Sequence, residues 1–202
     1  MQLRIDVDYP FTSRWTSFFY TLVGGKRFFS YWYRYLENSK IIANMINESK
    51  ENVKAYWFFT YKTLPDGQML ELISNSKHEI GLHAVNNIDK ELKKLERVTT
   101  LKIRYYTVHG IKRFFAKIIW KHFRKLKIKD EKLQLFDFEL ASVDRLCYDY
   151  DEDKAYNITK ESISKGNVVH FHPDWLFQWA TLNKHAPYYN VLEKLLNLSE
   201  QK

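Results

Sequence analysis

Two aspartates near the N-terminus are spaced so that their side chains share one face of a strand. Asp6 and Asp8 end the segment IDVD, and residues two apart in a strand point to the same side, so both carboxylates project together. Neighbouring carboxylates repel, and a divalent metal, a shared proton or nearby cations offset that repulsion. The structural alternative is that one carboxylate caps the following turn and the other is solvated. The pair is a candidate for metal binding or acid-base chemistry.

A second polar cluster closes the segment HEIGLHAVNN. Strand alternation places His83 on the face opposite His78, so only His83 is expected to join a site there. If the chain turns helical at His83, Asn87 lies four residues further on the same helical face, a spacing at which two side chains can bind one ion. A solitary histidine at a strand end is more often a hydrogen-bonded structural residue, so its role as a ligand depends on the groups around it.

The segment VVHFHPDWLF carries two further imidazoles on one face. His170 and His172 are two apart, and Pro173 ends the strand, which leaves His172 where a loop begins. An imidazole at this position can donate a proton to a leaving group near neutral pH. The indole of Trp175 either packs against the neighbouring elements or stacks on a sugar ring.

Runs rich in β-branched and aromatic residues alternate with segments of helical period. The candidate strands are LRIDV, AYWFFTY, HEIGLHA, IRYYTVHG, LQLFDFE and NVVHFHP. The candidate helices cover residues 28–49, 68–76, 88–98, 111–127 and 189–198. This alternation predicts right-handed βαβ units and a mostly parallel sheet, open or closed into a barrel, with ligands at the carboxyl ends of the strands. The aspartates and His83, His109, His170 and His172 all fall at those ends.

Length and composition predict one domain over residues 1–202. The chain has 45% hydrophobic residues, enough for one core, and its 6 Gly and 4 Pro form no hinge. The single Cys147 excludes an intramolecular disulfide framework and a cysteine-rich zinc site. We find no signal-peptide core and no apolar run of about 20 residues. We therefore expect a cytoplasmic protein, with peripheral membrane attachment as an alternative.

One segment accounts for the net charge of +8. Residues 111–129, IKRFFAKIIWKHFRKLKIK, contain eight Lys and Arg and no acid, with apolar residues at helical spacing opposite them. Such a helix can lie on an anionic membrane surface or contact nucleic acid phosphates. The alternative is an outer helix of the fold whose basic residues are solvated. No nucleic-acid-binding motif accompanies the charge, so nucleic acid is not an expected partner.

Taken in order, the segments IDVDYP, HEIGLHAVNN, TVHG and HFHPDW resemble the motifs of the polysaccharide deacetylases, carbohydrate esterase family 4. The resemblance extends from residue 4 to about residue 177, and HEIGLH is its most specific part. It implies an α/β fold, an incomplete (β/α)7 barrel of the polysaccharide deacetylase type, in a single domain. It further implies a divalent metal, usually zinc, and hydrolysis of N- or O-acetyl groups on a sugar or polysaccharide precursor.

The resemblance also implies a role for each matching residue. Asp6 falls on the catalytic base, Asp8 and His83 fall on metal ligands, and His172 falls on the general acid. The expected substrate contacts are Tyr9, His170 and Trp175.

Two positions depart from the family pattern. Asn87 stands where the family has its second imidazole ligand, and an amide oxygen suits calcium or magnesium better than zinc. His109 stands where the family has an arginine that holds the base, and it could supply the missing metal ligand instead. Three alternatives follow: an active deacetylase with a rearranged site, a weakly metallated enzyme, or a catalytically silent domain that binds glycan.

The basic segment generates a prediction about membrane binding. Replacing Lys117, Lys121 and Lys125 by Gln should weaken binding to anionic vesicles by up to about 100-fold, because each basic residue near such a surface contributes about 1 kcal/mol. Vesicle co-sedimentation at fixed ionic strength measures this. A matched control replaces Lys50, Lys90 and Lys160, which lie outside the segment. Unchanged partitioning, or no binding by the parent protein, would favour a solvated outer helix.

Overall fold

Seven strands form one parallel sheet in the computed structural model, which describes residues 1–8, 35–85, 87–108, 133–136, 138–173 and 187–198. The strands are β1 (Gln2–Val7), β2 (Lys54–Phe59), β3 (His78–Ala84), β4 (Tyr105–Val108), β5 (Gln134–Leu135), β6 (Leu140–Ser142) and β7 (Val168–Phe171). Their order across the sheet is β5-β4-β3-β2-β1-β7-β6, and each described pairing is parallel. The first strand of the chain therefore lies inside the sheet, between β2 and β7.

Helices connect the strands in the described part of the chain. They are α1 (Tyr35–Glu48), α2 (Gly67–Leu72), α3 (Ile88–Thr99), α4 (Val143–Asp149), α5 (Glu152–Ser164) and α6 (Pro187–Leu195). Seven parallel strands with helices between them curl into an incomplete barrel, so the predicted α/β fold class is confirmed. Among the described helices, each is too short or too polar to cross a membrane.

Strand alternation gives the sheet two different faces. On β2, Trp57 points into the main core, between the sheet and the helices, whereas Phe58 points to the opposite face. Phe58 packs there with Phe136 and Val168 in a smaller cluster inside the curl of the sheet. The helix-facing side is therefore the large apolar core, and the inner side is free to carry polar groups near the strand ends.

Gly81 allows the Phe58 ring and the backbone carbonyl of Tyr105 to approach β3 closely. A Cβ atom at this position would lie 2.5 Å from Phe58 Cδ1 and 3.1 Å from the carbonyl oxygen of Tyr105. Both distances are shorter than ordinary van der Waals contact, so a side chain here would displace the Phe58 ring. The glycine thus leaves space for the Phe58 ring on the face of β3 that also carries His83.

Several elements differ from those predicted. The candidate strand LQLFDFE is shortened to the two residues of β5, and β6, α4 and α5 were not predicted. The helix predicted over 28–49 is described from Tyr35, and that predicted over 68–76 ends at Leu72. The basic helix predicted over 111–127 lies outside the described residues. The strand β6 escaped prediction because three residues carry no measurable periodicity.

His78 faces the helices and not the inside of the barrel, as the alternation predicted. Its Nδ1 accepts a hydrogen bond from Trp57 Nε1 at 2.9 Å, and its Nε2 lies 2.9 Å from Asn47 Oδ1. The first contact assigns the acceptor role to Nδ1, so Nε2 carries the proton of the neutral ring. Burial and the neighbouring Lys77 and Lys54 lower the pKa of His78 to about 4.

This environment predicts a pH-dependent loss of stability. The ordinary pKa of histidine is about 6.5, so the unfolded chain binds the His78 proton more readily than the folded chain does. The contribution of neutral His78 is therefore full above about pH 6.5 and falls as the pH is lowered toward about 4. Urea unfolding between pH 7 and pH 4.5 should show this loss in the parent protein and a smaller loss in His78→Gln. Parallel loss in both proteins would contradict the prediction.

Candidate active site

The carboxyl ends of β1, β3 and β7 bring two aspartates and three histidines together. His83 Nε2 lies 3.1 Å from Asp8 Oδ1 and 3.9 Å from Asp6 Oδ2. His172 Nε2 lies 3.5 Å from Asp8 Oδ2, and His170 Nε2 lies 3.2 Å from Asp6 Oδ2. Residues that span most of the sequence therefore converge in one cluster.

Strand register explains this convergence. β1 pairs with β7 so that Arg4 lies beside His170, and both side chains point to the inner face. Asp6 follows Arg4 by two residues on the same face, which places its carboxylate beyond the guanidinium and within reach of His170. On the other flank of β1, beyond β2, β3 pairs with β4 so that His83 lies beside Thr107. The site is thus assembled by pairing between distant segments.

Asp6 is almost fully buried and is held by Arg4. Arg4 donates from Nε to Oδ1 at 2.9 Å and from Nη2 to Oδ2 at 2.6 Å, and the side chains are 12% and 3% exposed. The guanidinium also lies 5.6 Å from the centre of the Phe58 ring. Burial acts to raise the pKa of Asp6, but the charges of His83, His170 and Arg4 outweigh it and hold the pKa well below its usual range. Asp6 is therefore an ionised carboxylate at neutral pH.

Asp8 lies between two imidazoles of the described residues. Its two carboxylate oxygens face His83 on one side and His172 on the other. Its backbone N–H donates to the carbonyl of Asp6 at 3.1 Å, which turns the chain immediately after β1. The two aspartates therefore share a strand face but have different partners.

His83 is buried and oriented by a hydroxyl group. Its Nδ1 lies 2.5 Å from Thr107 Oγ1, and the two residues are 2% and 1% exposed. A proton on Nδ1 can be donated to this hydroxyl, and the ring then presents the lone pair of Nε2 toward Asp8. This tautomer is the one a metal-binding imidazole needs.

His172 is held by Asp144, a residue that sequence reasoning missed. Asp144 Oδ2 accepts from the backbone N–H of His172 at 3.0 Å and lies 2.7 Å from its Nδ1. β6 pairs Ser142 with His170, and α4 begins at the next residue, so Asp144 in its first turn lies close to His172. The signal in the sequence was an aspartate two residues beyond a strand, but the three-residue strand itself was not recognised.

Asn87 caps a helix, a role that the sequence analysis did not predict. β3 continues to Ala84 and α3 begins only at Ile88, so the expectation that His83 and Asn87 share a helical face is wrong. Asn87 is the N-cap of α3, and its Oδ1 accepts from the backbone N–H of Lys90 at 3.0 Å. The backbone N–H groups of Val85 and Asn87 donate to Glu91 at 2.9 and 3.2 Å. The side chains of Asn87 and Glu91 therefore accept the hydrogen bonds of these three backbone N–H groups.

The donor atoms at the barrel mouth suit a divalent transition metal. Ligand atoms of Asp6, His170 and His172 lie within 4.8 Å of one another, and Asp8 Oδ1 lies 3.1 Å from His83 Nε2. Two donors bound to one zinc ion at about 2.0–2.2 Å are themselves roughly 3.5 Å apart. Carboxylate and imidazole are ligands that such ions accept in proteins. Both donor groups therefore fit a metal, and they differ in which aspartate would bind it.

The charges of the cluster also suit a divalent cation. The described cluster contains three carboxylates, those of Asp6, Asp8 and Asp144, and one guanidinium, that of Arg4, so these groups leave two negative charges when the imidazoles are neutral. One divalent ion would balance this excess.

Three predicted site residues, Tyr9, His109 and Trp175, lie outside the described residues. Their predicted roles as substrate contacts and as a replacement metal ligand stay predictions. His170, predicted as a substrate contact, lies against Asp6 and has its ring centre 4.8 Å from that of His172.

The chain is similar to the crystal structure of a polysaccharide deacetylase from Bacillus cereus, with 11% sequence identity and a TM-score of 0.44, over 81% of this chain and 82% of that one. No protein-family model matches the chain, and no curated protein matches it in sequence.

The position of Asn87 generates a prediction that separates its two possible roles. Asn87→Ala should lower the free energy of unfolding by about 1 kcal/mol, since it removes the N-cap of α3. It should leave zinc affinity unchanged, because the amide oxygen already accepts from Lys90. Asn87→Ser, which keeps a capping oxygen, is the matched control and should retain stability. A loss of zinc affinity in Asn87→Ala, measured by calorimetric titration, would restore Asn87 as a ligand.

Proposed function

We propose that this chain is a divergent polysaccharide deacetylase, a metal-dependent hydrolase that removes N- or O-acetyl groups from a sugar or polysaccharide precursor. The observation that carries the proposal is the unequal pairing of the two aspartates. Asp6 is ionised beside Arg4, Asp8 faces two imidazoles, and one of those imidazoles is backed by Asp144. In this proposal, Asp6 is the base, Asp8 is the anionic metal ligand and His172 is the acid, and the three lie close together at the mouth of the barrel.

Asp6 is suited to accept a proton from water. Its oxygens are fixed by two hydrogen bonds from Arg4, and each carboxylate oxygen has a second lone pair. A low pKa makes it a weak base in the resting site, and proton transfer requires the water to be acidified. A bound metal would meet this requirement, because it would lower the pKa of the water.

His172 is suited to protonate the leaving group. Its Nδ1 is held by Asp144, which fixes the ring and stabilises the positive charge of the doubly protonated form. Its Nε2 points toward Asp8 and carries the transferable proton. The proton passes from Nε2 to the amine nitrogen or alkoxide oxygen that leaves the acetyl carbon, and acetate retains the oxygen of the attacking water.

Asp8 and His83 would hold the metal in this assignment. Asp8 supplies the negative charge, and His83 supplies Nε2 while Thr107 orients the ring through Nδ1. A bound divalent ion polarises the acetyl carbonyl and lowers the pKa of water. A third ligand would come from His170 or the predicted His109, because both ring nitrogens of His172 are protonated when it acts as the acid.

The proposed activity is tested by acetate release. Purified protein supplied with zinc should release acetate from N-acetylglucosamine oligomers or from a model acetyl ester. Asp6→Asn and His172→Gln should each lower the rate by roughly 100-fold or more, as expected for loss of a general base or acid. His78→Gln is the matched control, because His78 lies on the other face of the sheet and should leave the rate nearly unchanged.

Two results would contradict the proposal. Acetate release that is the same in Asp6→Asn as in the parent would place the chemistry elsewhere. No release by the parent with zinc, cobalt or manganese, combined with measurable binding of the oligomers, would support a catalytically silent domain that binds glycan.

A further inference from the structure

The peptide group that joins Val7 to Asp8 is held at both of its polar atoms. Its N–H donates to the carbonyl of Asp6 at 3.1 Å, and its carbonyl oxygen accepts from the hydroxyl of Thr63 at 2.5 Å. Thr63 lies 56 residues further along the chain, in the connection between β2 and α2, and is fully buried. The backbone that carries the Asp8 side chain is therefore fixed by a second segment of the protein.

The Thr63 hydroxyl joins two neighbouring strands just beyond their last residues. β1 and β2 are parallel and end level with one another, at Val7 and Phe59. The backbone N–H that follows Phe59, that of Thr60, donates to Thr63 Oγ1 at 3.0 Å, and Thr63 Oγ1 donates to the Val7 carbonyl. One side chain thus continues the connection between the two strands past the point where their pairing ends.

The hydrogen bonds of two threonine hydroxyls determine where each proton lies. A carbonyl oxygen can only accept, so the Thr63 proton points to Val7. Thr60 Oγ1, which lies 2.9 Å from Thr63 Oγ1, therefore donates its own proton to Thr63. Thr60 Oγ1 accepts in turn from the backbone N–H groups of Lys62 and Thr63, both at 3.2 Å. Each hydroxyl donates once and accepts twice, which is its full capacity.

This turn lies at the strand end that separates Asp8 from His83. β2 stands between β1 and β3 in the sheet, so the 3.1 Å contact of Asp8 Oδ1 with His83 Nε2 spans the end of β2. The turn over residues 60–63 begins at that end and is bonded to β1 by the Thr63 hydroxyl. Loss of this bond would free the peptide group before Asp8 and change the separation of the two donor atoms.

We propose that Thr63 is a positioning residue for Asp8: its hydroxyl fixes the Val7–Asp8 peptide so that the carboxylate lies beside His83 at a separation that suits one metal ion. The inference rests on the proposed function in one respect, that Asp8 and His83 bind the ion. Thr63 is not itself a ligand, since it acts through the backbone. Removal of groups that orient metal ligands typically lowers metal affinity 10- to 100-fold.

Zinc titration of hydroxyl variants tests this role. Thr63→Val keeps the branched shape of the side chain but leaves the Val7 carbonyl without its donor. It should lower zinc affinity, measured by calorimetry, by roughly tenfold or more. Thr63→Ser retains the hydroxyl and should bind zinc as the parent does.

Two further variants separate positioning from stability. Thr99→Val removes another buried threonine hydroxyl, which donates to the Leu95 carbonyl at the C-terminal end of α3, and it should leave zinc affinity unchanged. If Thr63→Val does not fold, Thr63→Ala takes its place, because it relieves the contact of a methyl group with the Val7 carbonyl. Its zinc affinity should fall in the same direction.

Parent-like zinc affinity in the folded Thr63→Val or Thr63→Ala protein would overturn the inference, and so would an equal loss in Thr63→Ser or Thr99→Val. Acetate release distinguishes this result from failure of the proposed function. Zinc-dependent release by the parent, with unchanged affinity in Thr63→Val, keeps the proposed function and rejects the inference. Lower affinity in Thr63→Val, with no acetate release by the parent, does the reverse. A parent that binds neither zinc nor cobalt rejects both.

Discussion

Burial of the Asp6 carboxylate inside the curled sheet is the constraint on which the site depends. A carboxylate with 3% of its side chain exposed loses its hydration, and an unpaired charge in that position is strongly destabilising. Arg4 reaches it from the same strand and His170 from the adjacent strand. His170 is available only because β1 lies inside the sheet with β7 beside it. The central position of the first strand thus determines where the polar groups of the barrel can lie.

The same strand register gives the two aspartates different partners. Asp6 faces a guanidinium and stays ionised, whereas Asp8 projects past the end of β1 between His83 and His172. Each of these imidazoles is fixed through its Nδ1, by Thr107 in one case and Asp144 in the other. Their Nε2 atoms therefore converge on Asp8 from opposite sides. Orientation of the rings by neighbouring strands is as important to the site as the identity of the histidines.

The direction of side chains along a single strand could be predicted from the sequence, but contacts that depend on pairing between strands could not. Alternation of two residues assigned Asp6 and Asp8 to one face and separated His78 from His83, because that period is fixed by the backbone of a single strand. The same alternation also placed Arg4 beside Asp6, a signal that went unused. Asp144 was inaccessible to such reasoning, since its contact with His172 depends on pairing between β6 and β7, and β6 has only three residues.

Asn87 shows why residue type and spacing are insufficient to define a ligand. A strand that continues through Ala84 and a helix that begins at Ile88 leave Asn87 at the N-cap, where asparagine is among the preferred residues. Its amide oxygen binds the helix N-terminus, and Glu91 binds the backbone N–H groups that precede it. The side chains of Asn87 and Glu91 therefore hydrogen-bond to the backbone around the start of α3. An ion at Asp8 and His83 would have to complete its coordination from a different strand, and β7, with His170 on its inner face, is a described strand that presents an imidazole.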